Sequence, residues 1–160
     1  PVMDARAGVV AVTGSVTADA PLPWGAAYGA SKAAVRSLSR TLRLELAPFG
    51  ISVVHLYTGA VQSRIVKNAL GGASVDRFGD GPYAPYMPGM RARLAVSQSS
   101  TYSSMPARAY ARAVVPKLLA RRPPREVVAG GQARYIQVMS TLLPSWVIDS
   151  ILQRKFVKTN

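Results

Sequence analysis

The pattern that most restricts this fold is a short β-branched run, a long amphipathic helix and a second β-branched run, in that order. Val9–Val12 is continuously apolar and stops at Thr13-Gly14-Ser15. Short runs of this kind suit a strand buried on both faces of a sheet. Residues 28–47 place Val35, Leu38, Leu42 and Leu46 at helical spacing, with Arg36, Arg40 and Arg43 largely off that stripe. Pro48 and Gly50 end the helix. Ile51–Tyr57 is the second strand, ending at Thr58-Gly59. The succession predicts a βαβ unit, a parallel sheet and an α/β fold. A strand entered so soon after Pro1 carries the expectation that structure preceding it has been cut off.

The remainder alternates loop and helix. Residues 71–106 are rich in Gly and Pro, with Tyr83, Tyr86 and Tyr102 interspersed. A loop this long inside a compact domain is usually functional or disordered. Residues 107–120 return to helical character, with Pro116 as a kink. Residues 125–130 form a short strand candidate. Residues 135–156 hold two amphipathic segments hinged at Pro144, with Tyr135, Val138, Met139 and Leu142 on one stripe and Ile148, Ile151 and Leu152 on the next.

Composition excludes several chemistries. There is no Cys in 160 residues, hence no disulfide framework, thiolate zinc site or thiol nucleophile. The single histidine, His55, lies in the second strand with no second ligand or acid partner, and reads as structural; no metal site is expected. No signal peptide and no uninterrupted apolar stretch of transmembrane length is visible. The net charge of +13 invites nucleic acid or an anionic membrane as partner. Residues 91–160 hold 12 of the 20 Lys and Arg against Glu126 and Asp149, so the charge is concentrated in the C-terminal part. It is dispersed among apolar segments without a nucleic-acid reading motif, which argues against that partner. Trp146 and Phe156, with Arg154, Lys155 and Lys158, suit a lipid surface as well as they suit a cap on the core.

One constellation carries chemistry. Tyr28 and Lys32 lie four apart at the start of the long helix, so they share a face. Ser15 stands at the C-terminal end of the strand before it. Strand ends and helix start therefore open onto one sheet edge, where α/β proteins place ligands. A free phenol is a poor proton donor at neutral pH, and a neighbouring ammonium favours its charged form. A serine hydroxyl can hydrogen-bond a carbonyl while tyrosine delivers its proton, with hydride coming from a cofactor.

Ser15, the Y-x-x-x-K of Tyr28 and Lys32, and T-G-A-V-Q-S at 58–63 resemble the C-terminal part of a classical short-chain dehydrogenase/reductase. Within that family, T-L-R-L-E-L-A-P-F-G (41–50), T-G-A-V-Q-S-R-I (58–65), stretches of 97–112 and L-P-x-x-V-x-D (143–149) are similar to fungal NADPH-dependent 1-acyldihydroxyacetone-phosphate reductases. The resemblance implies a Rossmann-like, doubly wound parallel sheet whose N-terminal βαβ units, with their Gly-rich pyrophosphate turn, would precede Pro1. It implies a catalytic part at 1–134, a substrate lid at 71–106 and an amphipathic C-terminal extension at 135–160. Ser15 would polarise the carbonyl, Tyr28 act as general acid and base, and Lys32 hold the nicotinamide ribose. Thr58, Gly59, Val61 and Ser63 would complete the cofactor contacts, Thr58 standing where the family has proline and Ser63 where it has threonine. The long helix would pair with its mate in a homo-oligomer.

The expected function is NADPH-dependent reduction of a lipid-like ketone, 1-acyldihydroxyacetone phosphate. The expected location is cytoplasmic, peripheral on the endoplasmic reticulum or lipid droplets. Two other readings stand beside it: a reductase of a secondary-metabolite ketone, and a truncated, non-catalytic chain that associates with membrane surfaces.

Overall fold

The computed structural model describes residues 8–64, 81–95 and 104–157. Three strands, β1 (Val9–Thr13), β2 (Ser52–Thr58) and β3 (Glu126–Ala129), form a parallel sheet in the order β1-β2-β3. Helix α1 (Ala26–Leu46) connects β1 to β2; α2 (Met87–Ala95) and α3 (Ala107–Leu118) precede β3. Helices α4 (Ala133–Leu142) and α5 (Ser145–Phe156) follow it. The architecture is α/β, as the alternation of β-branched runs and amphipathic segments requires.

Sheet position decides burial. Central β2 is buried from Val53 to Tyr57. On one face Val54 and Leu56 pack with Val114, Val127 and Ala129, backed by Tyr110 and Leu118 of α3. On the other, Tyr57 packs with Val16 and Ala133, backed by Val128 and Ile136 of α4. β1 is less buried. Among the described residues β1 pairs with β2 alone, and Val9 and Val10 are each 38% exposed.

Helix α1 also departs from its leucine stripe. Its single fully buried residue is Ser39, whose hydroxyl donates to the Arg36 carbonyl. Val35, Leu42 and Leu46 are half-buried, whereas Leu38 is exposed. Arg36 and Arg43, expected to lie off the packed face, turn toward the sheet. Arg43 donates to the Val53 and Arg125 carbonyls at 3.0 and 2.7 Å. Gly50 closes the following turn at φ 68°, a left-handed conformation that glycine adopts without a Cβ penalty.

His55 is structural, but it has an acid partner after all. Parallel register sets it opposite Glu126, and its Nδ1 lies 3.1 Å from that carboxylate. The partner is 71 residues away in sequence, so spacing could not reveal it. Glu126 also accepts from Gln137 at 2.7 Å and lies 3.9 Å from the Arg36 guanidinium, which pairs in addition with Asp19. The hydrogen bond from His55 holds the Glu126 carboxyl below the usual glutamate range, against the opposing effect of burial; Arg36 adds to the lowering.

The described part of the loop-rich segment is more ordered than its composition suggests: a 3₁₀ turn at Ala84–Tyr86 leads directly into α2. Residues 65–80 and 96–103 of the region around the expected lid lie outside the described residues, as do Pro1–Ala7 and Lys158–Asn160. Helix α3 continues two residues past Pro116. Pro144 separates α4 from α5 as its sequence implied. The division at 134/135 falls inside α4, whose Ala133 belongs to the core. No helix among the described residues is long and apolar enough to cross a membrane.

Candidate functional site

The C-terminal ends of the strands, the start of α1 and helices α2, α4 and α5 enclose a largely apolar cavity of about 600 Å³. Ser15, Tyr28 and Gly59 line it. Leu22, Ile136, Met139, Leu143, Ile148 and Leu152 supply much of its apolar wall.

Each polar group is placed by a local contact. Ser15 is 7% exposed and caps the short 3₁₀ turn at Val16–Ala18. Its Oγ accepts from the Thr17 amide at 3.2 Å and from the Thr17 hydroxyl at 2.9 Å. A hydroxyl has two acceptor positions and one donor. Thr17 therefore occupies the acceptor side of Ser15 and leaves its proton for a partner. Tyr28 lies in the first turn of α1, which has no acidic residue and no side-chain cap. Lys32 Nζ donates to the Thr13 carbonyl at 3.1 Å and stands 5.8 Å from the centre of the Tyr28 ring. That bond ties the ammonium to the end of β1 and keeps it beside the phenol.

The structure does not gather the 58–63 segment as one unit. Gly59 lines the cavity, and a Cβ there would lie 2.3 Å from the Gly131 carbonyl oxygen; the β2 and β3 ends approach too closely for a side chain. Thr58 bonds away from the cavity, its Oγ1 lying 2.7 Å from the Tyr110 hydroxyl and donating to the Leu56 carbonyl at 3.2 Å. Val61 is held in a bridge to Met105, and Ser63 is exposed. Neither is among the cavity-lining residues.

Other features of the site were illegible in sequence. The two non-glycine residues with left-handed backbone among those described, Trp24 at φ 63° and Gln132 at φ 56°, both line the cavity. Such conformations persist only where their surroundings enforce them, and they cluster at functional sites. Trp24 donates to the Phe156 carbonyl at 3.2 Å and packs its ring against Tyr83 and Tyr86, at 6.1 and 5.6 Å between centroids. Of the two readings left open for Phe156, a lipid surface and a cap on the core, the structure gives the cap: it is 5% exposed, with its backbone covered by Gly89 of α2. Met139, Ile148, Ile151 and Leu152, legible only as amphipathic stripes, are cavity wall. Arg93 of α2 lines the cavity with no signal in its surroundings that could have found it.

No cluster of residues among those described could hold a metal ion. A nicotinamide dinucleotide fits at its nicotinamide–ribose end. Thr13 is the one hydrogen-bond acceptor of Lys32 among the described residues, so its ammonium retains donors for ribose hydroxyls. Gly59 and Ala60 leave the strand end open for want of bulky side chains.

Known proteins resemble this chain over much of its length. The family profile described as short chain dehydrogenase matches residues 1–72. The chain is 31% identical over 150 residues to an NADPH-dependent 1-acyldihydroxyacetone phosphate reductase of Saccharomyces cerevisiae, covering 93% of this chain and 48% of that protein. It is 33% identical over 128 residues to a short-chain dehydrogenase/reductase of Pestalotiopsis microspora, covering 80% of this chain and 47% of the relative. A solved short-chain dehydrogenase from Streptomyces avermitilis superposes with a TM-score of 0.59 at 28% identity, covering 92% of this chain and 48% of that one. The chain spans about half the length of the relatives it matches.

Proposed function

Since the chain belongs to the short-chain dehydrogenase/reductase family of oxidoreductases, we propose that it carries the catalytic half of a reductase that converts a lipid-like ketone, 1-acyldihydroxyacetone phosphate, to its alcohol with NADPH. The observation that carries this reading is the donor-only state of Ser15 on the wall of an apolar cavity that it shares with Tyr28.

The chain's own groups have distinct tasks. Ser15 donates its remaining proton to the carbonyl oxygen. Tyr28 delivers its phenolic proton to the same oxygen as the carbonyl carbon is reduced. Lys32, fixed by Thr13, offsets the charge left on the phenol and holds the nicotinamide ribose. Gly59, on the cavity wall at the end of β2, serves the carboxamide end. NADPH, when bound, supplies the hydride. The apolar walls accept an acyl chain and keep water from the reacting carbon.

A lipid-surface association completes the reading. Tyr135, Val138, Leu142, Trp146 and Ile151 are exposed on α4 and α5, close in sequence to Arg154 and Lys155. Tyr135 and Ile151 also line the cavity, so this surface adjoins its rim. Peripheral placement on the endoplasmic reticulum or lipid droplets would present substrate at that rim.

The test is NADPH consumption by the natively expressed protein with 1-acyldihydroxyacetone phosphate and with unphosphorylated long-chain ketones, alongside calorimetric titration with NADPH. Turnover of the acyl compound supports the reading. Turnover of other ketones alone moves the assignment to another substrate. Absence of both turnover and NADPH binding shows a non-catalytic chain.

A further inference from the structure

Arg93 and Lys155 are the charged residues that line the largely apolar cavity, and no described carboxylate pairs with Arg93. It extends from α2, whose Met87 and Met90 are buried and whose Gly89 rests on the Phe156 backbone. Anchored this way, α2 brings Arg93 and Leu94 to the cavity that Ser15 and Tyr28 line. The guanidinium lies against the Cα of Gly25: a Cβ there would be 2.5 Å from one Nη and 3.2 Å from Cζ. Arg93 Nε is buried with no hydrogen-bond partner among the described residues.

A half-buried guanidinium is most stable when it is paired with an anion and its N–H groups are satisfied. The described carboxylates are engaged or lie elsewhere. Asp19 pairs with Arg36, Glu126 is held by His55 and Gln137, and neither Glu45 nor Asp149 lines the cavity. The adjacent start of α1 contributes partial positive charge and no acidic residue, which adds to the imbalance. Burial pulls the Arg93 guanidinium below the usual arginine value, with the nearby Tyr28 opposing that effect, yet arginine remains a cation at neutral pH.

We propose that Arg93 is a specificity-determining residue that pairs with an anionic group, phosphate or carboxylate, carried by the ketone close to its reacting carbonyl. The proposal deepens the reductase reading and rests on it for the position of the carbonyl. A planar guanidinium binds either group through two parallel hydrogen bonds, orienting the ligand as well as holding it. The substrate class is then an apolar chain with an anionic head: the chain lies against Ile136, Met139, Ile148 and Leu152, and the head lies toward α2.

Two measurements test it on the natively expressed protein, comparing wild type with Arg93→Met and Arg93→Lys. The first is the ratio of kcat/KM for 1-acyldihydroxyacetone phosphate to that for the same ketone without phosphate, with a long-chain β-keto acid as the carboxylate arm. Arg93→Met should lower the phosphate or the carboxylate ratio at least 30-fold, and Arg93→Lys should restore part of it. The arm that falls identifies the anion. Unchanged ratios, or equal losses on charged and neutral ketones, overturn the proposal. The second needs no turnover: calorimetric binding of dodecyl phosphate and dodecanoate against dodecanol. Wild type should favour at least one anion tenfold or more, and Arg93→Met should not. If this preference appears and disappears as stated while no ketone is reduced, the reductase reading fails and the anion site stands. If ketones are reduced and no preference exists, the reverse holds.

Discussion

Two cavities of nearly equal size sit at different places on the sheet, and their chemistry is opposite. The one at the strand ends measures about 600 Å³, has largely apolar walls, and holds Ser15, Tyr28 and Arg93, which has no carboxylate partner among the described residues. The other, about 590 Å³, lies beside α1 and is lined by Asp19, Arg36, Arg40, Arg43, Arg125, Glu126 and His55. Several of its groups are paired: Arg36 with Asp19, Glu126 with His55 and Gln137, and Arg43 with two backbone carbonyls, while His55 Nε2 is buried with no hydrogen-bond partner among the described residues. Size therefore says little about function here. What separates the two is their walls: the first is largely apolar with Ser15 and Tyr28 on it, and the second is lined mostly by charged groups between α1 and the sheet.

Substitutions can break that contrast, since losses at the first cavity should appear in turnover and losses at the second in stability. Tyr28→Phe has the largest expected effect, a fall in kcat of about a thousand-fold with NADPH binding retained, because it removes the proton and leaves the ring. Ser15→Ala should lower kcat about a hundred-fold, the scale for one hydrogen-bond donor at a developing oxyanion. Glu126→Ala should instead cost about 2 kcal/mol in urea unfolding, by leaving His55 and Arg36 without their shared carboxylate, and leave kcat near wild type. Tyr110→Phe should cost about 1 kcal/mol, through loss of its hydrogen bond to Thr58. A large loss of turnover in Glu126→Ala would erase the distinction between the cavities.

Acid sharpens the same comparison. The folded-state pKa of Glu126 lies below its ordinary value, so the unfolded chain takes up the proton first as pH falls. The stability it contributes is complete above the ordinary glutamate value. It is lost as pH falls through the lower folded value. The difference in unfolding free energy between wild type and Glu126→Gln should therefore shrink across that acid range and be flat near neutrality. A difference that grows on acidification would contradict the assignment.

The local pattern carried much of this fold and only part of the site. The β-branched runs and the stop at Pro48 and Gly50 located β1, α1 and β2 within a few residues, because burial and backbone restriction act over short spans. Ser15, Tyr28 and Lys32 were legible because their spacing is set by one strand end and one helix turn. Burial was harder to read. Leucine spacing pointed to Leu38, yet Ser39 is what meets the sheet, flanked by arginines that find backbone and carboxylate partners across it. His55 and Glu126 become neighbours only when β3 takes its register. Arg93 depends on α2 docking against α5, and no periodicity records that contact.

The most direct test of the central claim is amide chemical-shift mapping of the protein on titration with a long-chain methyl ketone. The account predicts perturbations at Ser15, Gly59, Gly131, Ile136 and Ile148, with Ser37, Arg40 and Arg125 unmoved. Perturbations centred on Ser37, Arg40 and Arg125 would place the ligand in the charged cavity and contradict it.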